Sequence, residues 1–501
     1  MNDISKLNLG SDVDYNIKDA YMRSLVPSNA DPTTNKLATM SDVSGGGGNV
    51  DAYNVSYLYT NVGTALDILL EDITYTITVN TTESSLIGED VTITYGSDTQ
   101  TATFSSLGIA QFKIIKYTGL VSISSTDGED TATGSVIIVS GTQSYSTSLS
   151  FKHIYGVSWD GSSSPAMTRT GGAVGFSDPS PAVNNGSGSS PFDSIAPWSG
   201  MEIVDDTTGG KLVSIPKYYY KWTKTGDVMT LDISETEEDG FLVSPAHADR
   251  GDGKGERDVV YVGRYHSASS TYKSTTGVTP QVDVTRATAR SGIHNLGNAY
   301  WQYDFAMFWT IMMLYIVEYA NWNSQATIGY GCAPDGSTSA VRNMGYTDNM
   351  QYHTGTTAAN RTTYGGTQYR YIEGLWDNCF DWCDGIYFSG INVYCIKNPS
   401  NFSDTSNGTK VGTRPTSGGY ISAWNVPSVS GYEYALYPSA VSGSDSTYIC
   451  DYCSYNSSGV VLRVGGSYGQ YQDRGAFCLL GVDAASSQNA GTGCRLMKLP
   501  N

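Results

Sequence analysis

The chain has 501 residues, a formal net charge of -19 and a charged fraction of only 15%. So acidic a protein lacks the Lys and Arg clusters that bind nucleic-acid phosphates or anionic lipid surfaces, and neither class of partner is expected. The length favours about three domains. The 56 Gly and 37 Tyr residues indicate a mainly β protein with many turns.

Residues 1–49 are predicted to be a short N-terminal segment and a linker. One amphipathic helix is expected over residues 17–25, and Pro27 ends it. The glycine run at residues 44–49 is typical of a flexible linker. A partly disordered leader is the alternative interpretation. The first residues are polar and acidic, unlike a secretory signal peptide, so export by the ordinary secretory route is not expected.

Residues 50–151 contain six short runs in which apolar and polar residues tend to alternate. That alternation is the pattern of half-buried strands, and Gly, Asp and Ser turns separate the runs. The runs lie at residues 73–79, 91–95, 111–115, 121–123, 135–139 and 144–151. Strands at this spacing predict a small immunoglobulin-like β-sandwich, here without cysteine. A rigid spacer is favoured over a second binding module.

Residues 152–501 are predicted to form one large α+β domain around a buried helix. Apolar side chains cover most of the circumference of residues 298–319, as in a helix surrounded by other elements. Asn298 is the expected cap, with Asp304 near the positive helix end. The longest apolar run, residues 305–317, is shorter than the roughly 20 residues that cross a membrane, so no insertion is expected.

Two long loops are predicted beyond this helix, over residues 330–370 and 398–430. Loops of such length in a compact domain usually bind a ligand or belong to an assembly interface.

No metal, cofactor or catalytic site is predicted. The eight cysteines all lie between residues 332 and 494, and buried thiols are favoured over disulfides for a chain folded in a bacterial cytosol. Cys450 and Cys453 form a CxxC pair, but no second pair at a familiar spacing completes a zinc site. The acidic, glycine-rich residues 249–258 fit a solvated loop better than a calcium site. The five histidines are scattered.

The last residues of the chain combine three short apolar runs with polar and aromatic residues between them. The runs, at residues 460–462, 476–480 and 494–497, predict buried strands that present an adaptable surface. Gly465, Gly466, Phe477 and Leu496 are expected to be scaffold. Tyr452 and Asn456 are expected at a second edge of the same face. The expected exposed contact residues are Tyr448, Tyr455, Tyr468, Gln470, Tyr471, Asp473 and Asp483.

The terminal pattern LRVGGSY at residues 462–468, RGAF at 474–477 and GCRL at 493–496 resembles the end of a C-type lectin fold. It is similar to formylglycine-generating-enzyme-like domains and to the variable proteins that retroelements diversify in phages and bacteria. In those variable proteins this segment holds the hypervariable, ligand-binding residues. The catalytic cysteine pair of the enzymes is absent after residues 465–467, so no enzymatic activity is expected.

The resemblance implies a phage tail fibre or receptor-binding protein, assembled in the host cytoplasm and carried on the virion. Residues 1–49 would then be an N-terminal attachment segment to other tail proteins, residues 50–151 a spacer, and residues 152–501 a C-type lectin-like domain. The expected partner is a bacterial surface receptor, protein or glycan, bound by a homotrimer. A structural virion protein, acting in tail assembly or capsid decoration, is the alternative. A bacterial surface protein of the same variable class is a third possibility.

Overall fold

The structure is a computed structural model that describes residues 6–8, 14–16, 74–115, 117–127, 131–139, 144–149, 154–332, 336–360, 363–471 and 473–500. The chain divides into two compact units, Met1–Lys152 and His153–Asn501. The helix expected over residues 17–25 and the linker at residues 44–49 lie outside the described residues.

The first unit contains a β-sandwich. A three-stranded sheet in the order β6-β3-β9 and a four-stranded sheet in the order β5-β4-β7-β8 share one core. A separate antiparallel pair, β1 and β2, precedes them. The strands are β1 (Lys6–Asn8), β2 (Asp14–Asn16), β3 (Thr74–Asn80), β4 (Asp90–Tyr95), β5 (Asp98–Thr103), β6 (Ile109–Ile115), β7 (Gly119–Thr126), β8 (Thr131–Ile138) and β9 (Ser144–Ser148).

Alternation along each strand explains the sandwich. In β3, Tyr75, Ile77 and Val79 are buried while the threonines between them are partly exposed. Each of the six predicted runs contains a strand in its described residues. β5 was not predicted, because its sequence DTQTAT carries almost no apolar signal and its residues are mostly exposed. Cross-strand pairing with β4 rather than burial defines it.

The strands described in the second unit form four sheets. Their strand orders are β11-β10-β16-β15-β17, β12-β20-β21-β22, β13-β14-β18-β32-β19 and β25-β24-β23-β29-β30-β28-β26-β27, with β31 beside β23. The strands are β10 (Ile154–Trp159), β11 (Thr168–Gly171), β12 (Ala182–Val183), β13 (Glu202–Asp206), β14 (Gly210–Pro216), β15 (Tyr219–Thr225), β16 (Val228–Ser234), β17 (Leu242–Val243), β18 (Val259–Gly263), β19 (Tyr300–Gln302), β20 (Gly355–Thr356), β21 (Thr367–Tyr369), β22 (Ile372–Glu373), β23 (Phe380–Ser389), β24 (Asn392–Cys395), β25 (Thr409–Thr413), β26 (Gly419–Asn425), β27 (Tyr437–Val441), β28 (Tyr452–Tyr455), β29 (Val461–Val464), β30 (Leu479–Asp483), β31 (Thr492–Gly493) and β32 (Leu496–Lys498).

The described residues of the second unit also form three α-helices, α1 (Arg286–His294), α2 (Phe305–Tyr319) and α3 (Ser324–Thr327). The mainly β fold class is confirmed. None of the helices in the described part of the chain has the length and apolarity needed to cross a bilayer.

Helix α2 is the centre of the second unit, and all of its residues are buried, as predicted. The predicted start was wrong. The residues just before it form β19, which pairs with β32, and Asp304 caps the helix by accepting the Met307 N–H at 2.8 Å. Asp304 is buried and forms an ion pair with buried Arg250. The predicted cap Asn298 lies before β19, outside the helix.

The prediction of two long loops was only partly correct. Residues 398–430 contain β25 and β26, so this stretch belongs to the largest sheet. Residues 330–370 contain only the short strands β20 and β21 in their described part. Helix α1 was missed because its sequence RATARSGIH is polar on most sides.

All eight cysteines are buried free thiols in the structure. Burial raises the pKa of each thiol, which keeps it protonated and unreactive.

Candidate functional site

The candidate site is built on two neighbouring strands of the largest sheet. β29 and β30 pair antiparallel, and residues 465–471 and 473–475, together called the terminal loop below, lie between the end of β29 and the start of β30. The loop begins at Gly465, whose φ of +83° lies in the left-handed region that favours glycine. A Cβ at Gly466 would lie 2.5 Å from the sulfur of Cys332 and 2.7 Å from the carbonyl oxygen of Trp376. Both glycines are buried, as expected of scaffold.

A buried carboxylate fixes the end of the terminal loop. The two oxygens of Asp451 accept the backbone N–H groups of Gly475 and Phe477, each at 2.7 Å. The hydroxyl of Ser324 accepts the N–H of Ala476 at 2.9 Å. Burial raises the pKa of Asp451 to about 7, although the two N–H donors stabilise its anion. Buried groups therefore hold the C-terminal end of the loop.

A second loop lies beside the first. The side-chain amide of Asn378 binds the backbone of Arg342 twice, accepting its N–H at 2.8 Å and donating to its carbonyl at 3.0 Å. The backbone carbonyl of Asn378 accepts the N–H of Tyr468 at 3.0 Å. One residue thus joins the terminal loop to residues 336–347, which are called the long loop below.

Buried groups also hold the long loop in place. Glu373 accepts the backbone N–H of Thr347 at 2.9 Å and its hydroxyl at 2.6 Å. The guanidinium carbon of Arg342 lies 3.8 Å from the ring centroid of Tyr346 and 4.3 Å from that of Tyr364. Such cation–π contacts stabilise the loop and cover its cation.

Tyr471 is the most exposed large apolar side chain of the terminal and long loops. It is 61% exposed and is the only aromatic residue among the large exposed apolar side chains of the described residues. A Cβ on Gly336 would lie 3.6 Å from the tip of its ring, so the ring borders the backbone of the long loop. A Cβ on Gly469 would meet only the carbonyl oxygen of Thr338, at 3.7 Å. A Cβ at either glycine would make only ordinary contacts, so these positions bring the backbone of the two loops close together, and the space around them does not require glycine.

The charged side chains of the terminal loop, Asp473 and Arg474, form an ion pair with each other. Asp473 pairs with Arg474 at 2.6 Å, and their side chains are only 19% and 14% exposed. The guanidinium of Arg474 lies 4.7 Å above the ring centroid of Tyr452. That ring meets Tyr420 edge to face at 5.5 Å. Burial first, and then the carboxylates of Asp473 and Asp445, raise the pKa of Tyr420 to about 12.

Three of the predicted contact residues flank one another on the terminal loop. Tyr471 is exposed, and Tyr468 and Gln470 beside it are half-buried. Asp473 lies on the same loop but is occupied by Arg474.

The other three predicted residues have structural contacts. Asp483 was predicted to be exposed, but its side chain is only 13% exposed. It pairs with Arg463 at 3.1 Å across β29 and β30. The ring of Tyr455 lies 4.8 Å from the guanidinium carbon of Arg414 and covers it. Tyr448 is half-buried and packs against the main core. An ion pair, a cation–π contact or a core contact engages each of these side chains, and each is less exposed than Tyr471.

Sequence reasoning missed Tyr420, Arg474 and the glycines of the long loop. Tyr420 lies on β26, whose alternating sequence GYISAWN is a strand signal inside a stretch that was predicted as loop. No local pattern places Gly336 beside Tyr471, because the two positions are 135 residues apart in the chain.

The acidic loop at residues 249–258 is paired with cations. Lys217 binds Asp258 at 2.8 Å, and Arg257 binds Asp252. Within the described residues, no group of three or more His, Cys, Asp or Glu side chains is arranged to hold a metal ion.

Comparisons with known proteins add little. No family model matches the chain. No curated protein matches it either. Among solved structures, the chain is similar to the crystal structure of a DUF3823 family protein from Parabacteroides merdae, with 9% sequence identity over 38% of this chain and 88% of that chain and a TM-score of 0.13. A likeness this small carries no argument about fold or function.

Proposed function

We propose that the chain is a phage tail receptor-binding protein whose terminal and long loops recognise a molecule on the bacterial surface. The observation that carries the proposal is Tyr471, an exposed aromatic side chain on a loop that buried Asn378 and buried Asp451 hold by hydrogen bonds. An exposed tyrosine contributes a large contact area at low entropic cost, and a fixed loop avoids the cost of ordering on binding.

The finer fold assignments belong to the same proposal. In the first unit, the order β5-β4-β7-β8 opposite β6-β3 agrees with an immunoglobulin-like sandwich, which would act as a spacer. In the second unit, the C-type lectin-like assignment rests on the terminal sequence pattern at residues 462–496. The N-terminal segment would attach the protein to other tail proteins. A homotrimer would raise a weak single-site affinity by avidity.

The test is adsorption of the purified, fluorescently labelled full chain to a panel of intact bacterial strains. We expect saturable adsorption to some strains, and a loss of several-fold in affinity for the variant Tyr471→Ala. Val174→Ala is the matched control, because Val174 is 68% exposed, also in the second unit, and far from both loops in sequence. Unchanged melting of both variants, followed by tryptophan fluorescence, shows that the fold is intact.

Two results would contradict the proposal in different ways. Saturable adsorption that Tyr471→Ala leaves unchanged would place the binding site elsewhere on the chain. No adsorption to any strain by a folded protein would favour the alternative, a structural virion protein that binds another virion component.

A further inference from the structure

The buried carboxylates of the second unit fall into two groups. Seven Asp and Glu side chains are buried in the described part of the chain. Four of them form ion pairs with arginines: Asp304, Glu318, Asp381 and Asp384. The other three, Glu373, Asp377 and Asp451, form no ion pair within the described residues. A buried carboxylate without a cation beside it keeps its charge at a high cost in free energy, and it takes up a proton more readily than an exposed one.

All three carboxylates without an ion pair hold loops of the candidate site. Glu373 accepts the backbone N–H and the hydroxyl of Thr347 in the long loop. Asp377 accepts the hydroxyl of Tyr346 in the same loop. Asp451 accepts the two N–H groups at the C-terminal end of the terminal loop. The two loops thus depend on carboxyl groups that can gain a proton, whereas arginines stabilise the other buried carboxylates of the described second unit.

Asp451 differs from the other two carboxylates in what a proton does to its hydrogen bonds. Thr347 and Tyr346 offer hydroxyl groups, which can turn and accept a hydrogen bond from a protonated carboxyl group. The described partners of Asp451 are the N–H groups of Gly475 and Phe477, each at 2.7 Å, and an N–H group cannot accept. A proton on either oxygen of Asp451 therefore displaces one of these donors. The loop end is fully held only while Asp451 is an anion.

The neighbours of Asp451 leave its charge largely uncompensated. Asp473 raises the pKa of Asp451 and Arg474 lowers it, and these two side chains pair with each other at 2.6 Å. Burial raises the pKa of the other titratable groups around Asp451 and keeps them neutral, namely Tyr315 on α2, Tyr420 on β26, Cys450 and Cys478. Burial is also the main reason why the pKa of Asp451 rises to about 7.

We infer that ligand binding at the candidate site depends on pH, because ionised Asp451 holds the terminal loop in its binding conformation and protonation of Asp451 releases the loop. The inference rests on the proposed receptor-binding function, since it concerns the loop that carries Tyr471. Only the molecules with ionised Asp451 are competent to bind. With a pKa of about 7, their fraction falls about tenfold from about pH 8 to about pH 6. Binding is therefore strong in weakly alkaline and weak in weakly acidic surroundings.

The first test measures adsorption of the labelled full chain to a strain that binds it, at about pH 8 and about pH 6. We expect the wild-type chain to bind about tenfold more weakly at the lower pH. Asp451→Asn is neutral at both pH values, so it should bind weakly at both, with less than about a twofold difference. Asp445→Asn is the matched control, because it makes the same change at an exposed carboxylate and should keep the pH dependence of the wild type. All variants meet the same cells, so any effect of pH on the cell surface cancels.

The second test follows hydrogen exchange in the wild-type chain and needs neither a ligand nor a variant. The rates are corrected for the intrinsic effect of pH on amide exchange. A peptide covering residues 473–480 should then exchange several-fold faster at about pH 6 than at about pH 8, because release of the loop end exposes the N–H groups of Gly475 and Phe477. A peptide from the buried helix α2 should exchange equally slowly at both pH values.

Three results would overturn the inference. They are equal adsorption of the wild type at both pH values, an undiminished pH dependence in Asp451→Asn, and equal corrected exchange of residues 473–480 at both pH values. In the first two cases saturable adsorption remains, so the proposed receptor-binding function stands. An absence of adsorption to every strain at both pH values contradicts the proposed function instead, and hydrogen exchange then still decides whether protonation releases the loop.

Discussion

Asp451 holds the end of the terminal loop, and its replacement by Asn should change how the stability of the second unit depends on pH. Asp451 is buried, and each of its oxygens accepts one backbone N–H group. Asn presents only one oxygen, so either Gly475 or Phe477 loses its acceptor. An unsatisfied buried donor costs about 1–3 kcal/mol. Asp451→Asn also removes a group that titrates.

The pH dependence follows from the raised pKa of the carboxyl group. The pKa rises from 3.8 to about 7 in the folded protein because burial disfavours the anion. The stabilisation from protonated Asp451 is therefore full below the unfolded pKa of 3.8 and is lost as the pH rises through the folded pKa of about 7. At about 1.4 kcal/mol per pKa unit, the whole difference is roughly 4 kcal/mol. About 3 kcal/mol of it falls between pH of about 4.5 and about 8.5.

Tryptophan fluorescence measures this effect on the correct unit, because all nine tryptophans lie in residues 153–501. Urea unfolding of the full chain, wild type and Asp451→Asn, should be followed at both pH values. Wild type minus variant isolates the titration of Asp451 from that of other groups, such as His247, whose pKa is lowered to about 4 by burial. We expect the difference in unfolding free energy to shrink by roughly 3 kcal/mol as the pH rises. A constant or growing difference would refute the reasoning.

The other predictions concern the scaffold. Asp304→Asn should cost about 3–5 kcal/mol in urea unfolding followed by tryptophan fluorescence, because it leaves buried Arg250 without its counter-ion; a cost below about 1 kcal/mol would show that the pair is not essential. Gly466→Ala should destabilise the second unit or prevent its folding, because its new Cβ would overlap neighbouring atoms. Gly469→Ala should change the melting temperature little, because its new Cβ would have only ordinary contacts. Equal effects of the two substitutions would contradict the close packing at Gly466. A thiol reagent such as Ellman's should react slowly with the native chain and with all eight cysteines in denaturant; rapid reaction of several native thiols would contradict their burial.

Strong local patterns were readable from the sequence. The alternation in residues 73–79 predicted β3, and the all-round apolar character of residues 305–317 predicted a buried helix, because both signals arise from one element facing one core. Elements with weak sequence patterns were missed or placed wrongly. β5 and helix α1 have few apolar residues, and the helix start moved from Asn298 to Asp304 because residues 300–302 pair with β32 instead.

The sequence by itself determined the mainly β class, the buried central helix and the position of a polar, tyrosine-rich segment between the last strands. Only the tertiary structure decided which of these side chains can reach a ligand. Asp483 and Tyr455 read like Tyr471 in the sequence, yet Arg463 and Arg414 occupy them, while Tyr471 stands beside Gly336 and remains exposed. These partners are distant in the chain, and a local pattern carries no information about which charges and rings folding brings into contact.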